Sequence, residues 1–567
     1  MHPVPKRKKI IFLSFFTLIS FVFFSFRDDL FQISKNLDIF ASIYKELNMS
    51  YVDDVNSSTI IKTSIDAMLQ NLDPYTEYVP ESDVEDYKMK YVSTQYGGIG
   101  AGVFYRNNKV YISDVFEGFP AQKANIKPGD ELVSIDGVAL QGKKSEQVSL
   151  LLKGPRETAV KIMISREGKI IEKNIFRAEI NQPNVSYFGM LENNVGYIKL
   201  DKFLENSAQE VKNALIEIKK NNPKGLILDL RYNGGGILQE AVKIVNFFIA
   251  KDVEIVVQKG RNTEKNIHYK TYTQALDAQI PLIILVNNRS ASASEIVAGS
   301  LQDLDRAVII GQQSFGKGLV QQTFNLPYNS LVKITVAKYY TPSGRCIQAL
   351  DYAHRSKEGA VNKFSDSLKT EFKTKNGRSV YDGSGIYPDI YIPRYTYHQI
   401  TQSLLSKYLL FDYASNYVQK KPQIVAAKNF YLNDAEYANF VTFINNKDYS
   451  YTTETETMLQ SMVKQAEKEK IYTELKTELD ALKTKVYSAK KDDLNQYKPE
   501  IKRILESEIV QRYYYDKGKY EHAFQYDTEL KEALKLVTNK ISYDAILKGD
   551  KQYKVIGKPG KMLVQED

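Results

Sequence analysis

Pro281-Leu282-Ile283-Ile284-Leu285-Val286, followed by Ser290-Ala291-Ser292-Ala293-Ser294-Glu295, carries the reading of this chain. The first six residues are an uninterrupted apolar run, with the length and composition of a strand buried on both faces. From Ser294 to Leu301 the apolar residues recur at helical spacing, so the three serines fall in a strand-to-helix turn. A hydroxyl in such a turn lies beside the first helical N–H groups, which have no intrahelical partners and can hold an oxyanion.

A serine hydroxyl is a weak nucleophile until a base takes its proton. No histidine lies near this stretch, but Phe315-Gly316-Lys317-Gly318-Leu319-Val320-Gln321 follows it and offers Lys317. A lysine acts as a base only when neutral, which requires burial to bring its pKa from about 10.4 toward about 7. That shift costs roughly 4 to 5 kcal/mol at about 1.36 kcal/mol per unit. Phe315, Leu319 and Val320 are apolar enough to desolvate the amine, and Gln321 can hydrogen-bond it without adding charge. On an extended strand Lys317 and Gln321 would face the same side. Each residue also has an ordinary reading. Ser292 and Glu295 satisfy the Ser-x-x-Glu capping box, and a lone lysine is usually solvated.

The motifs together resemble the carboxyl-terminal processing proteases, serine endopeptidases with a Ser/Lys dyad. Spacing alone does not choose among Ser290, Ser292 and Ser294. The resemblance implies Ser292 as nucleophile, Lys317 as base 25 residues downstream (317 − 292), and Gln321 as the residue that orients the lysine.

A second strand, turn and helix supports it: Gly225 to Arg231 is apolar, Tyr232-Asn233-Gly234-Gly235-Gly236 is a turn, and Gln239 to Ile249 has helical periodicity. In the resemblance this turn contributes an oxyanion donor, Gly235 or Gly236, alongside the amide of Ala293. Neither Gly-x-Gly-x-x-Gly nor Gly-x-x-x-x-Gly-Lys-Ser/Thr is present here, so a nucleotide loop is not indicated.

Upstream, from Tyr96, short strands follow one another, with Lys127-Pro128-Gly129-Asp130 and Ile135-Asp136-Gly137 as turns. Residues 92–178 resemble a PDZ domain, which binds a peptide by strand addition and captures its terminal carboxylate in a nest of backbone amides. Gly98, Ile99, Gly100 and Ala101 match the nest, with Ile99 placed to line the pocket for the terminal side chain.

Lys6-Arg7-Lys8-Lys9 precedes an uncharged, phenylalanine-rich run from Ile10 to Phe26, and no Ala-x-Ala-like cleavage site follows. Residues 1–30 therefore read as an uncleaved signal anchor, which would place the rest outside the inner membrane, in a periplasmic setting. Residues 31–91 carry helical periodicity, clearest from Leu37 to Leu72. The single cysteine, Cys346, excludes an intramolecular disulfide and any cysteine-rich zinc site, and the five scattered histidines form no His-Glu-x-x-His motif. The net charge of +9 over 567 residues is spread along the chain, which gives no footprint for nucleic acid.

The expected architecture is multidomain α+β. It comprises an α/β protease core with a mainly parallel sheet (179–396), an inserted PDZ-like β-rich domain, a helical N-terminal region, and a helical C-terminal domain (397–567) open to self-association or adaptor binding. The expected function is a serine endopeptidase that takes protein or peptide substrates by accessible C-termini, without metal or cofactor. A catalytically silent PDZ scaffold is the alternative. A Ser/His/Asp hydrolase is a third reading, against which the missing Gly-x-Ser-x-Gly counts.

Overall fold

Val195–Leu200, Gly225–Asp229, Leu282–Val286 and Val308–Gly311 are buried along their whole length, as near-continuous apolar strands in a parallel sheet must be. The computed structural model describes residues 31–550, apart from 93–94, 262–263, 265, 357–358 and 491. The signal anchor expected at residues 1–30 lies outside the described residues. No helix among those described is long and apolar enough to cross a membrane.

The chain divides into two units. The larger comprises Glu85–Val320 and Val336–Asp567. Its central sheet has the order Val185–Leu191, Val195–Leu200, Gly225–Asp229, Leu282–Val286, Val308–Gly311, Ile390–Tyr391. The first pair is antiparallel and every later pair parallel, the mainly parallel core expected. Alternate residues of these strands face opposite ways. Leu226, Leu228, Leu282 and Ile284 meet the helices Ser207–Lys219, Leu238–Asn246 and Ala293–Asp303 on one face.

The other face is covered from far down the chain. Tyr197, Ile227, Ile283, Leu285 and Ile310 pack against Leu530, Ala533, Leu534, Val537, Tyr543 and Ile546, on the helices Thr528–Val537 and Lys540–Lys548. The Tyr543 hydroxyl donates to the Leu282 carbonyl at 3.1 Å. Packing thus crosses the boundary expected at 396/397: a parallel sheet needs both faces covered, and these two helices supply the second cover. Gln399–Ser406, Leu409–Lys420, Asp434–Ile444 and Lys498–Ala523 form a core of their own, and Glu454–Lys468 and Tyr472–Ala489 pack on each other in a smaller, separate cluster around Leu459, Ala466 and Leu479.

The inserted β-rich domain has the antiparallel order Ala101–Arg106, Lys109–Val115, Glu131–Ile135, Ala159–Arg166, Lys169–Phe176, with the helix Ser145–Leu152 over its core. Gln95–Gly98 pairs with Ala178–Asn181, which closes the insertion at its neck.

The smaller unit comprises Met1–Val84 and Gln321–Thr335. Residues 31–50 are helical, and a second helix, Ser57–Gln70, is capped by Asn56, whose side chain accepts the Thr59 N–H at 2.9 Å. The continuous periodicity read from Leu37 to Leu72 is therefore broken at 51–56. Asp73 then turns the chain by accepting the Tyr75 and Thr76 N–H groups at 2.8 and 2.9 Å, and Glu77–Val79 pairs antiparallel with Leu331–Lys333.

Candidate active site

The three serines have different fates. Ser290 is fully buried, accepting the Asn287 N–H and donating to the Leu230 carbonyl, both at 2.9 Å. Ser294 is fully buried and donates to the Asn233 carbonyl at 2.8 Å. Ser292 is half-buried, caps the helix Ala293–Asp303 from φ 56°, ψ −113°, and makes no side-chain capping hydrogen bond. That φ is costly for a non-glycine residue, about 1 to 3 kcal/mol, and persists only where the surroundings over-determine it.

They do so through Glu295. Its carboxylate is fully buried and accepts four donors: the Ser292 N–H at 2.8 Å and Lys317 N–H at 2.9 Å on Oε2, and the Gly316 N–H at 2.7 Å and Ser314 hydroxyl at 2.5 Å on Oε1. Burial pushes the Glu295 carboxyl above its ordinary value, and the four donors act in the other direction. The Tyr339 hydroxyl adds a second clamp, 2.6 Å from the Lys317 carbonyl oxygen and 3.2 Å from that of Ser292. With one proton to donate, it favours the Lys317 carbonyl. Glu295 is therefore more than the carboxylate half of a capping box.

The glycine turn is sewn to the serine turn. The Asn233 carbonyl accepts the Ala291 N–H at 3.0 Å as well as Ser294, so it holds the chain on both sides of Ser292. Gly235 has φ 94°, and a Cβ there would lie 2.6 Å from the Ala291 oxygen, 2.7 Å from Ser292 Cβ and 2.9 Å from the Ala293 nitrogen. Only glycine fits so close an approach. The Gly235 N–H donates to Asn233 Oδ1 at 2.9 Å, whereas those of Gly236 and Ala293 donate to no group among the described residues.

Lys317 is half-buried and lies outside any strand, because Leu319–Asn325 begins two residues later. The two-residue alternation that would align it with Gln321 therefore does not apply. Gln321 belongs to the smaller unit, where its amide donates to Thr335 at 3.2 Å. Of the apolar neighbours expected to desolvate the lysine, Leu319 is buried, but Phe315 is 46% exposed. The four described histidines pair with Glu254, Asp351, Glu500 and Glu506, and none hydrogen-bonds Ser292.

Upstream of the glycine turn, Asp229 and Arg231 form a charge cluster that the sequence reading passed over. Arg231 Nη2 lies 2.6 Å from Asp229 Oδ2, and Lys199 Nζ donates to the Arg231 carbonyl at 2.5 Å. Burial alone would raise the Asp229 carboxyl, but Arg231 and Lys199 beside it hold it well below the usual carboxylate range. Two charges closing an otherwise apolar strand were the available signal.

In the β-rich domain, the Ile99 and Gly100 amides donate to no group among the described residues, while their carbonyls accept from Ala121 and Phe116 at 2.7 and 2.9 Å. Gly98 and Ala101 sit in the flanking strands. Ile99 is only 2% exposed and packs into the domain core, so its side chain pins the turn instead of lining an open pocket.

Residues 194–352 match Peptidase family S41, residues 97–175 a PDZ domain, and residues 400–537 the description "Probable PDZ-protease, C-terminal helical domain". Over 322 residues the chain is 35% identical to a carboxy-terminal-processing protease of Bartonella bacilliformis, covering 56% of this chain and 73% of that one. A probable CtpA-like serine protease of Staphylococcus haemolyticus is 37% identical over 308 residues, 54% of this chain and 61% of its own length. The photosystem II D1 C-terminal processing protease is 25% identical, over 62% of this chain and 92% of that structure, with a TM-score of 0.34.

Proposed function

This chain belongs to the carboxy-terminal-processing proteases of peptidase family S41, and we propose that it cleaves polypeptides with Ser292 as nucleophile and Lys317 as base. The observation that carries this reading is the contrast among the serines: Ser290 and Ser294 are spent on buried hydrogen bonds, and Ser292 is not. Neutral Lys317 takes the Ser292 proton, and the Ser292 oxygen attacks the scissile carbonyl. The proton passes to the leaving amine, and water, deprotonated by the same lysine, hydrolyses the acyl-enzyme. The role requires the amine to be neutral, hence a pKa well below about 10.4.

The Ala293 amide opens the helix and, with Gly236, donates to no other group among the described residues, so both suit a developing oxyanion. Gly235 joins them if its N–H leaves Asn233. Gln321 carries over from the resemblance as the orienting residue, its side-chain carbonyl being the acceptor an amine needs.

Substrate delivery is assigned to the PDZ domain. The amides of Ile99 and Gly100 suit a terminal carboxylate, and Ala101–Arg106 is an edge strand of its sheet, the position to which a peptide strand would add. Residues 1–30, as a basic segment before an apolar run, support membrane anchoring with the catalytic part outside the cytoplasm.

The test is degradation of an unfolded protein by wild type, Ser292→Ala and Lys317→Ala. Loss of cleavage in both variants, with the fold kept, is expected. Full cleavage by either variant removes the dyad, and inactivity of the wild type toward every unfolded substrate favours a peptide-binding scaffold.

A further inference from the structure

Two residues near the C-terminal end reach both loops of the candidate active site. Asp527 grips Arg231 with two oxygens, Nη2 to Oδ2 at 2.7 Å and Nη1 to Oδ1 at 2.9 Å. Glu529 Oε2 lies 3.3 Å from the same Nη1, and its other oxygen accepts the Gln312 amide at 3.0 Å. Arg231 is the last residue before the glycine turn. Gln312 comes directly after Val308–Gly311 and leads into the 314–317 segment that Glu295 holds.

The cluster is largely buried, with side-chain exposures of 12% for Arg231, 14% for Asp527 and 17% for Glu529. Buried ion pairs are weak evidence of stability, because desolvation offsets most of the attraction. Bidentate geometry does fix direction, however, since the planar guanidinium and the carboxylate meet in one orientation. The glycine turn beyond Arg231 needs that support: Tyr232 has φ 65° and is 67% exposed, and Gly235 has φ 94°. Asp527 is itself held as the N-cap of Thr528–Val537, accepting the Leu530 N–H at 2.9 Å. The helix is in turn anchored on the sheet by Leu530 and Leu534.

We propose that Asp527 and Glu529 are positioning residues for the Ser/Lys site: the C-terminal helix start sets the glycine turn through Arg231 and the lysine loop through Gln312. The inference rests on the proposed Ser292/Lys317 reading. It assigns to the C-terminal region a role in the reaction, in addition to its role as a cover for the sheet.

The experiment uses the full chain with Asp527→Asn, Glu529→Gln, Gln312→Leu and, as control, Asp544→Asn in the exposed pair with Lys540. Peptide turnover, the rate of Ser292 labelling by a fluorophosphonate, and thermal midpoints are measured together. Asp527→Asn and Glu529→Gln are expected to lower kcat and labelling at least tenfold with KM within twofold, and Gln312→Leu to lower kcat less. The control stays at wild-type rate. Folded variants that keep kcat within twofold, or losses fully explained by the unfolded fraction, overturn the proposal. If Asp527→Asn does not fold, Glu529→Gln, which loses only the longer contact to Arg231, decides. Failure of the dyad itself appears separately, as turnover that survives in Ser292→Ala.

Discussion

The carboxylate of Glu295 accepts the backbone N–H of Lys317 at 2.9 Å on the same oxygen that accepts the N–H of Ser292 at 2.8 Å. One buried side chain thereby ties the backbones of the proposed base and nucleophile. In Glu295→Gln the amide keeps one accepting oxygen and turns an NH2 group toward two of the four donors. Each stranded buried donor costs about 1 to 3 kcal/mol. Chemical denaturation should show a loss of about 3 kcal/mol, and turnover should fall about a hundredfold even where the protein is folded. An active, equally stable variant would remove Glu295 from this role.

Gly235 and Gly234 make a matched pair. A methyl group at Gly235 meets the Ala291 oxygen and Ser292 Cβ at under 3 Å, on a residue with φ 94°, while at Gly234 nothing lies within 4 Å. Gly235→Ala should cost about 2 kcal/mol of stability and most of the turnover, because the clash falls on the nucleophile's own Cβ. Gly234→Ala should be close to wild type in both. Equal behaviour of the two variants in parallel assays is the result that counts against the placement.

Acid titration should report Asp229. Its folded carboxyl titrates below the ordinary 3.8, so its contribution to stability is complete above that value and is lost as pH falls through the lower folded one. Glu295 has the opposite sign: raised by burial above 4.5, it favours the folded state at low pH and loses that contribution as pH rises through its folded value. Asp229→Asn leaves Arg231 short of a partner and should cost about 3 to 5 kcal/mol at neutral pH. The gap between wild type and variant should narrow below about pH 4, measured by urea unfolding at several pH values. A gap that is constant with pH contradicts the ion pairing.

Leu530→Ala tests whether the C-terminal helices belong to the core. Leu530 is fully buried against the sheet. A loss of about 3 kcal/mol is expected. The whole α/β core should shift with it, read by hydrogen exchange at Ile283 and Ile310. Unchanged protection of those strands would show a detachable helical domain.

Much of this was legible in short stretches. The apolar runs 282–286 and 225–229 declared buried strands, and the glycine turn and the serine turn came each at the end of one of them. Periodicity is a local property, and burial on one or both faces writes it into five to ten consecutive residues. What failed were readings that extended a local rule too far. Lys317 and Gln321 were aligned on a strand that begins only at Leu319, and Ile99 was turned toward a ligand when the domain core claimed it.

By itself, then, the sequence determined the fold class, the two strand-turn-helix units, the PDZ insertion and a short list of chemically able residues. Tertiary structure decided which serine is spared buried hydrogen bonds, that Glu295 and Tyr339 join the backbones of Ser292 and Lys317, and that residues 528–548 close the second face of the sheet. The physical reason is separation along the chain. Asp527 meets Arg231 across 296 positions, and Tyr543 meets Leu282 across 261. Partners so distant leave no period in the sequence, because which of them meet is settled by the packing of whole elements.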